Sequence, residues 1–328
     1  MIIFAPLAVN EQTIKEAEKL DLKVIRYDSK EQGRIQIANY ENIDKINIKQ
    51  YDTVILDESS ILKSLDGITR EKLIKLVNDN GIQYRLACTA TPAPNDISEI
   101  GNHAEFLGVM KREEMLAKFF FNNGSEWEIK GHGIDAFYRW IATWAMFIKY
   151  PSDLGFKDNG FKLPRLNFYG KFFYYEFHAE GTLFDIGLKG IEDRIKIRKD
   201  TINTKAQTIA DFINAEKGQH VIWCGLNQES DLLVKMIDNA ENLQGSDNDE
   251  EKIRKINDFK TGKLKVLITK PKIAGYGLNF QNCNNVSFFG LSDSYESYYQ
   301  CIRRCYRFGQ KKEVNVYLWL AGNEKEIL

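Results

Sequence analysis

Short apolar runs of four or five residues alternate with stretches of helical periodicity, and no other feature constrains the chain as much. Residues 2–5 (IIFA), 23–27, 35–39, 53–57 (TVILD) and 84–88 (YRLAC) read as strands. Residues 10–20, with Val9, Thr13, Ala17 and Leu20 on one face, and 70–80, with Leu73, Leu76 and Val77, read as the helices between them. The pattern resumes after about residue 205. There the strands are 220–224 (HVIWC), a short extended piece at 242–245, 265–269 (KVLIT), 286–290 and 315–320, and the helices are 228–239 and 249–260. Strands that alternate with helices predict an α/β fold, with parallel sheets covered by helices on both faces.

The length of 328 residues fits two such units better than one. Residues 105–200 differ in character, being rich in Phe and Trp. Within them 135–148 is predicted as one helix carrying Phe137, Trp140, Trp144 and Phe147 at helical spacing. The plain reading of that stripe is core; the sharper one is a base-stacking platform, which requires exposure.

With 45 Lys plus Arg against 46 Asp plus Glu the net charge is −1, which excludes a polybasic, histone-like protein. A basic groove on one face remains compatible with that balance. No run of 18 apolar residues is present, so no transmembrane helix is expected, and no basic segment precedes the apolar start as in a secretory leader. Five cysteines without a CxxC pair argue against a disulfide framework or a structural zinc site and fit a reducing cytoplasm. The four histidines show no HExxH spacing.

Four segments carry candidate chemistry. Asp57 and Glu58 close an apolar strand, where open α/β sheets place their ligands. An aspartate there can hold Mg2+ and a glutamate can orient or deprotonate water, although a strand ending in a polar turn is common. Thr89 and Thr91 follow the next strand in the run TATP. The loop TKPKIAGYGLN, with Lys270, Lys272, Gly275, Gly277 and Asn279, follows the strand KVLIT; its glycines would let the backbone approach a phosphate. Gln300, Arg304 and Arg307 lie at i, i+4 and i+7, so a helix places them on one face. Two guanidinium groups there suit an anion such as a triphosphate, and a solvated basic face is the plain alternative.

Taken in order, these segments resemble the superfamily-2 helicases and translocases, most closely the Swi/Snf-like branch, and the DEAD/DEAH-type helicases found in phage genomes. Phe4–Val9 resembles motif Ia and Asn39-Tyr40-Glu41 the motif Ib region. Asp57-Glu58-Ser59-Ser60 resembles motif II (Ser60 standing where His is usual), and Thr89–Pro92 motif III. Val221–Asn227 resembles motif IV, Gly275–Asn279 motif V, and Gln300–Gln310 motif VI in the form QxxxRxxRxGQ. The resemblance covers about 1–100 and 205–320.

It implies two RecA-like lobes: a partial ATP-binding lobe at 1–150, a connecting segment at 151–204 and a C-terminal lobe at 205–328. ATP and Mg2+ would bind between the lobes, and DNA, duplex or single strand, would be tracked across them. By resemblance Asp57 binds Mg2+, Glu58 activates water, and Gln300, Arg304 and Arg307 serve catalysis, the arginines as fingers. Gly275, Gly277 and Asn279 would contact nucleotide or the lobe interface. Thr89 and Thr91 would couple nucleotide state to movement, and Asn39, Tyr40, Lys270 and Lys272 would lie near nucleic acid. Accessory replication or recombination proteins are the implied partners, in a bacterial or phage-infected cell.

One departure matters. The family's Walker A motif, GxGKT, precedes motif Ia, and no GK[ST] occurs in these 328 residues. The expectation is a partial helicase, its first lobe incomplete at the N-terminus, exposing apolar surface and inactive alone. The alternative is a non-hydrolysing nucleic-acid-binding relic.

Overall fold

Runs such as IIFA and TVILD are too short for a helix and too apolar for an exposed loop, and each forms a strand. The computed structural model describes all residues except 29–32, 65–66, 125, 174–190, 275–277, 292–293 and 322–328. Its backbone divides into units Met1–Ile148 and Lys149–Leu328.

In the first unit β1 (Ile2–Ala5), β2 (Val24–Arg26), β3 (Ile35–Asn39), β4 (Thr53–Asp57) and β5 (Tyr84–Cys88) form one sheet in the order β2-β3-β1-β4-β5. Every pairing is parallel, so all five carboxyl ends share one edge. Helix α1 (Leu7–Glu18) starts directly behind Pro6, earlier than the apolar spacing alone indicates. It stops where Asp21 takes φ 56° and the Leu22 amide bonds back to Ala17 O at 3.0 Å. Its Val9, Ile14 and Ala17 cover Ala5, Val24 and Ile37. On the opposite face α2 (Ile68–Asp79) sets Leu73, Ile74 and Val77 against Ile2, Phe4, Val54 and Leu56, and α3 (Ile100–Phe106) adds Phe106. Strand β5 is an edge, with Tyr84 56% and Leu86 50% exposed.

Beyond α3 lies a smaller aromatic cluster. Helix α4 (Arg112–Phe119) runs into the antiparallel hairpin β6 (Phe120–Asn122) and β7 (Trp127–Ile129), and α5 (Ile134–Ala142) packs Phe137 onto Phe119 and Phe120. The predicted helix over 135–148 is shorter than expected. The Thr143 hydroxyl donates to the Trp140 carbonyl at 2.7 Å, a local bond that competes with the helical ladder, and the helix ends at Ala142. Phe137 is fully buried, Trp140 and Trp144 are partly buried, and Phe147 is 84% exposed. The core reading of the stripe therefore holds for its first part only.

The second unit begins with β8 (Leu166–Phe173), inside the stretch read as a connecting segment, and α6 (Ile191–Ala215). There follow β9 (His220–Trp223), α7 (Asn227–Met236), β10 (Ala240–Asn242), α8 (Asp249–Lys260) and β11 (Val266–Thr269). Then come α9 (Pro271–Ala274), β12 (Asn285–Phe288), α10 (Tyr295–Arg303) and β13 (Val314–Ala321). The six strands are all parallel, in the order β10-β11-β9-β12-β13-β8. Strands β9, β11 and β12 are buried at every residue, as expected when helices cover both faces. One face packs Val221, Trp223 and Phe288 with Phe259 of α8 and Cys301 of α10. The other packs Ile222 and Ile268 with Ala206 and Ile209 of α6 and Leu233 of α7. The fold is thus α/β, with two parallel sheets flanked by helices. Among the described residues no helix is long and apolar enough to cross a membrane.

Candidate functional site

In the first unit the parallel register brings the named residues to one sheet edge. Ala5 lies opposite Asn39, and Asp57 opposite Cys88, so Thr89 follows immediately beside Asp57. Burial holds the Asp57 carboxyl above the usual carboxylate range, while its Oδ1 accepts from the Glu58 amide at 3.0 Å, which opposes the shift. Glu58 itself sits at φ 52°, a left-handed conformation that glycine adopts freely and glutamate does not.

Three contacts hold this turn. The Tyr40 hydroxyl donates to the Asp57 carbonyl at 2.7 Å. Burial, then the Asp57 and Glu58 charges, push the Tyr40 phenol far up, so it stays a donor. Ser59 Oγ and His103 Nε2 lie 3.1 Å apart, both buried, and burial pulls His103 down to about 4, so the ring is neutral. Asn102 Nδ2, next to His103, donates to Leu62 O at 2.7 Å and ties α3 to the turn after Glu58. Asn39 Oδ1 accepts from Asn10 Nδ2 of α1. Thr89 Oγ1 accepts from the Thr91 amide at 3.0 Å, and the Thr91 hydroxyl is buried with no hydrogen-bond partner among the described residues. The structure therefore gathers Asn39, Tyr40, Asp57, Glu58 and Thr89 at one edge, and it places Tyr40 as a brace of the acidic turn. His103 and Ser59 escaped sequence reasoning because 44 residues separate them; no local pattern marks such a pair.

In the second unit Lys270 follows β11, where its Nζ donates to Asn227 Oδ1 at the start of α7, and Lys272 is exposed on α9. Gly275 and Gly277 lie outside the described residues. Asn279 Oδ1 accepts from the Gln281 amide at 3.2 Å.

Gln300 and Arg304 are buried against each other. Arg304 Nη2 donates to Gln300 Oε1 at 2.7 Å, Nε to Gln300 O at 3.1 Å, and Nη1 to Leu278 O at 3.1 Å. Arg304 is thus 7% exposed and braces the 278 loop to α10, whereas Arg307 is half-buried. Gly309 has φ 93°, and a Cβ there would meet the Gln281 side chain at 2.9 Å. Gln310 Nε2 lies within donating distance of the Gln281, Cys283 and Cys305 carbonyls, at 3.1, 3.0 and 3.3 Å. The Gly-Gln pair that ends the motif is a structural lock.

No group of three or more His, Cys, Asp or Glu side chains able to hold a metal occurs among the described residues. Asp57 with Glu58 fits Mg2+ only as that ion is usually held, by one or two carboxylates together with waters and substrate phosphate.

Residues 204–309 match the helicase conserved C-terminal domain. The matched span runs from α6 through α10 to the Gly309 turn, so the second unit is similar to helicase C-terminal domains. The bifunctional helicase and thymine dioxygenase JBP2 of Leishmania braziliensis is 33% identical over 87 residues, covering 26% of this chain and 8% of that protein. JBP2 of Leishmania infantum gives the same figures. The chain thus spans 8% of the length of these curated relatives. The crystal structure of the C-terminal part of the Fun30 ATPase domain aligns at a TM-score of 0.35 and 25% identity, over 39% of this chain and 43% of that one.

Proposed function

We propose that the chain is part of an ATP-dependent DNA helicase or translocase of the Swi/Snf-like, phage-type branch. The observation that carries the reading is the match of residues 204–309 to the helicase C-terminal domain, downstream of a parallel sheet that ends in Asp57 and Glu58. In this reading Asp57 holds Mg2+ with substrate phosphate, Glu58 orients water, and Thr89 and Thr91 sense the state of the site. Arg307 supplies positive charge, Gln300 and Arg304 hold the turn that carries it, Asn39, Lys270 and Lys272 lie along the nucleic-acid path, and Tyr40 acts on that path through the acidic turn it braces. Bound Mg-ATP would supply the phosphoryl chemistry. The five free thiols suit a reducing cytoplasm.

The residues present fit the ion and water half of such a site and not its phosphate anchor. No GK[ST] occurs in the 328 residues, so the lysine that reaches the β/γ-phosphates is missing from them. This favours a second statement: the chain by itself binds nucleic acid and hydrolyses ATP little. A coupled ATPase assay with and without DNA, beside nucleic-acid binding by fluorescence anisotropy, tests both. Binding with negligible turnover is expected. Robust DNA-stimulated hydrolysis would reject the second statement, and absence of any nucleic-acid binding would reject the first.

A further inference from the structure

Two segments of the second unit, distant in sequence, meet at its surface. Residues 156–165 carry Lys157, Lys162 and Arg165 against the single acid Asp158, and residues 303–312 carry five cations and no acid. This concentration of positive charge stands out in a chain of net charge −1. Two contacts join the segments. The Phe161 and Phe308 rings stack with centroids 4.6 Å apart and planes at 28°. The Tyr306 hydroxyl donates to Pro164 O at 2.9 Å. Gly160 at φ 79° and Gly309 at φ 93° turn the two backbones so that the rings meet.

The stacked pair is not core: Phe161 is 44% and Phe308 55% exposed, and Phe156 nearby is 69% exposed. Lys157, Lys162, Arg165, Lys311 and Lys312 are exposed in the same two segments. The neighbouring acids Asp158 and Glu313 bond to neutral donors and keep their charge, but the five exposed cations outnumber them. Asp158 accepts from the Ser152 amide and hydroxyl at 2.9 and 3.0 Å, and Glu313 accepts from Asn167 Nδ2 at 3.0 Å. Arg304, buried in its brace, takes no part.

A flat exposed ring pair asks for a flat apolar partner, and the cations around it ask for a regularly spaced anion. Single-stranded nucleic acid supplies both, base faces for stacking and phosphates for the lysines. A duplex offers phosphates but keeps its base faces covered. We infer that the Phe161–Phe308 ledge is a single-strand binding surface, where a base stacks on the ring pair and Lys157, Lys162, Lys311 and Lys312 neutralise flanking phosphates. This rests on the nucleic-acid reading above and adds a surface that reading does not use.

The test measures anisotropy of the full chain with a labelled oligothymidylate of about twenty nucleotides, an abasic strand of equal length and a duplex. The oligothymidylate should bind tighter than the abasic strand. Phe308→Ala and Phe161→Ala should each weaken oligothymidylate binding by about 5- to 10-fold and leave abasic binding unchanged. Lys311→Ala with Lys312→Ala should weaken both strands and flatten the salt dependence. Equal binding of the two strands by the wild type, or an unchanged Phe308→Ala variant, would overturn the ledge while leaving nucleic-acid binding standing. Binding of none of the three probes would overturn both. A duplex bound with the same dependence on Phe308 would also overturn the ledge.

Discussion

Glu58 stands at φ 52° beside an acid that is itself partly withdrawn from water. A non-glycine residue in this region persists when its surroundings over-determine it, and here Tyr40, Ser59 with His103, and the Asp57 carboxylate do so. Glu58→Gly should therefore stabilise the first unit, by roughly 0.5–1 kcal/mol, read as a higher urea midpoint. The two buried histidines give a pH signature. Burial holds His103 and His220 at about 4, below the ordinary 6.5, so the folded state favours the neutral ring. Their stabilising contribution is whole above about 6.5 and is lost as pH falls towards about 4, on the order of 2–3 kcal/mol each. Urea titrations at about pH 7.5 and about pH 5 should show this fall, and His220→Gln should make it smaller. At this scale Asp57 and Glu58 were legible because an acidic pair closes an apolar strand. His103 was not, since its role depends on a tertiary contact.

The α10 segment shows what a motif looks like once folded. Gln300, Arg304, Gly309 and Gln310 tie the helix to the 278–283 loop and to one another, whereas Arg307 is half-buried. Arg304→Ala would strand two buried acceptors at Gln300 and one at Leu278, at a cost of roughly 2–4 kcal/mol, against less than about 1 kcal/mol for Arg307→Ala. Paired thermal melts of the two variants check this, and equal shifts would contradict it. Helical spacing set Gln300, Arg304 and Arg307 on one face, but the helix ends at Arg303, so Arg304 is its C-cap and Arg307 lies beyond it in a turn. The same spacing overran in α5, where the Thr143 side chain captures a carbonyl the ladder needs. Periodicity carries no information on such a bond.

Among the described residues the molecule holds two parallel sheets, each with its own core, and strand alternation announced both of them. Residues 149–328 contain all six strands of the second sheet and both cores that cover it. That fragment should unfold cooperatively by itself, with a single transition by circular dichroism and protected amides in β9, β11 and β12. A non-cooperative fragment would show that the second unit depends on the first. What the sequence concealed was membership: β8 looks like an irregular stretch rich in Phe and Tyr, and only its pairing with β13 makes it part of the sheet.

That pairing sets an order of events during synthesis. Strand β13 lies inside the sheet, between β12 and β8, although it follows the other described strands of that sheet in sequence. Asn167 and Glu313, joined across this seam, are 146 residues apart. While the ribosome is still producing α10, β8 has no neighbour to pair with, and its Phe168, Tyr169 and Phe172, about half exposed even in the finished sheet, offer a sticky edge to other nascent chains. Closing so long a loop is slow compared with forming the local α7–β10–β11 contacts, so insertion of β13 is expected to limit the folding rate. Nascent chains halted just before Val314 should accordingly be chaperone-bound and protease-sensitive, and release of about ten more residues should convert them to a resistant form.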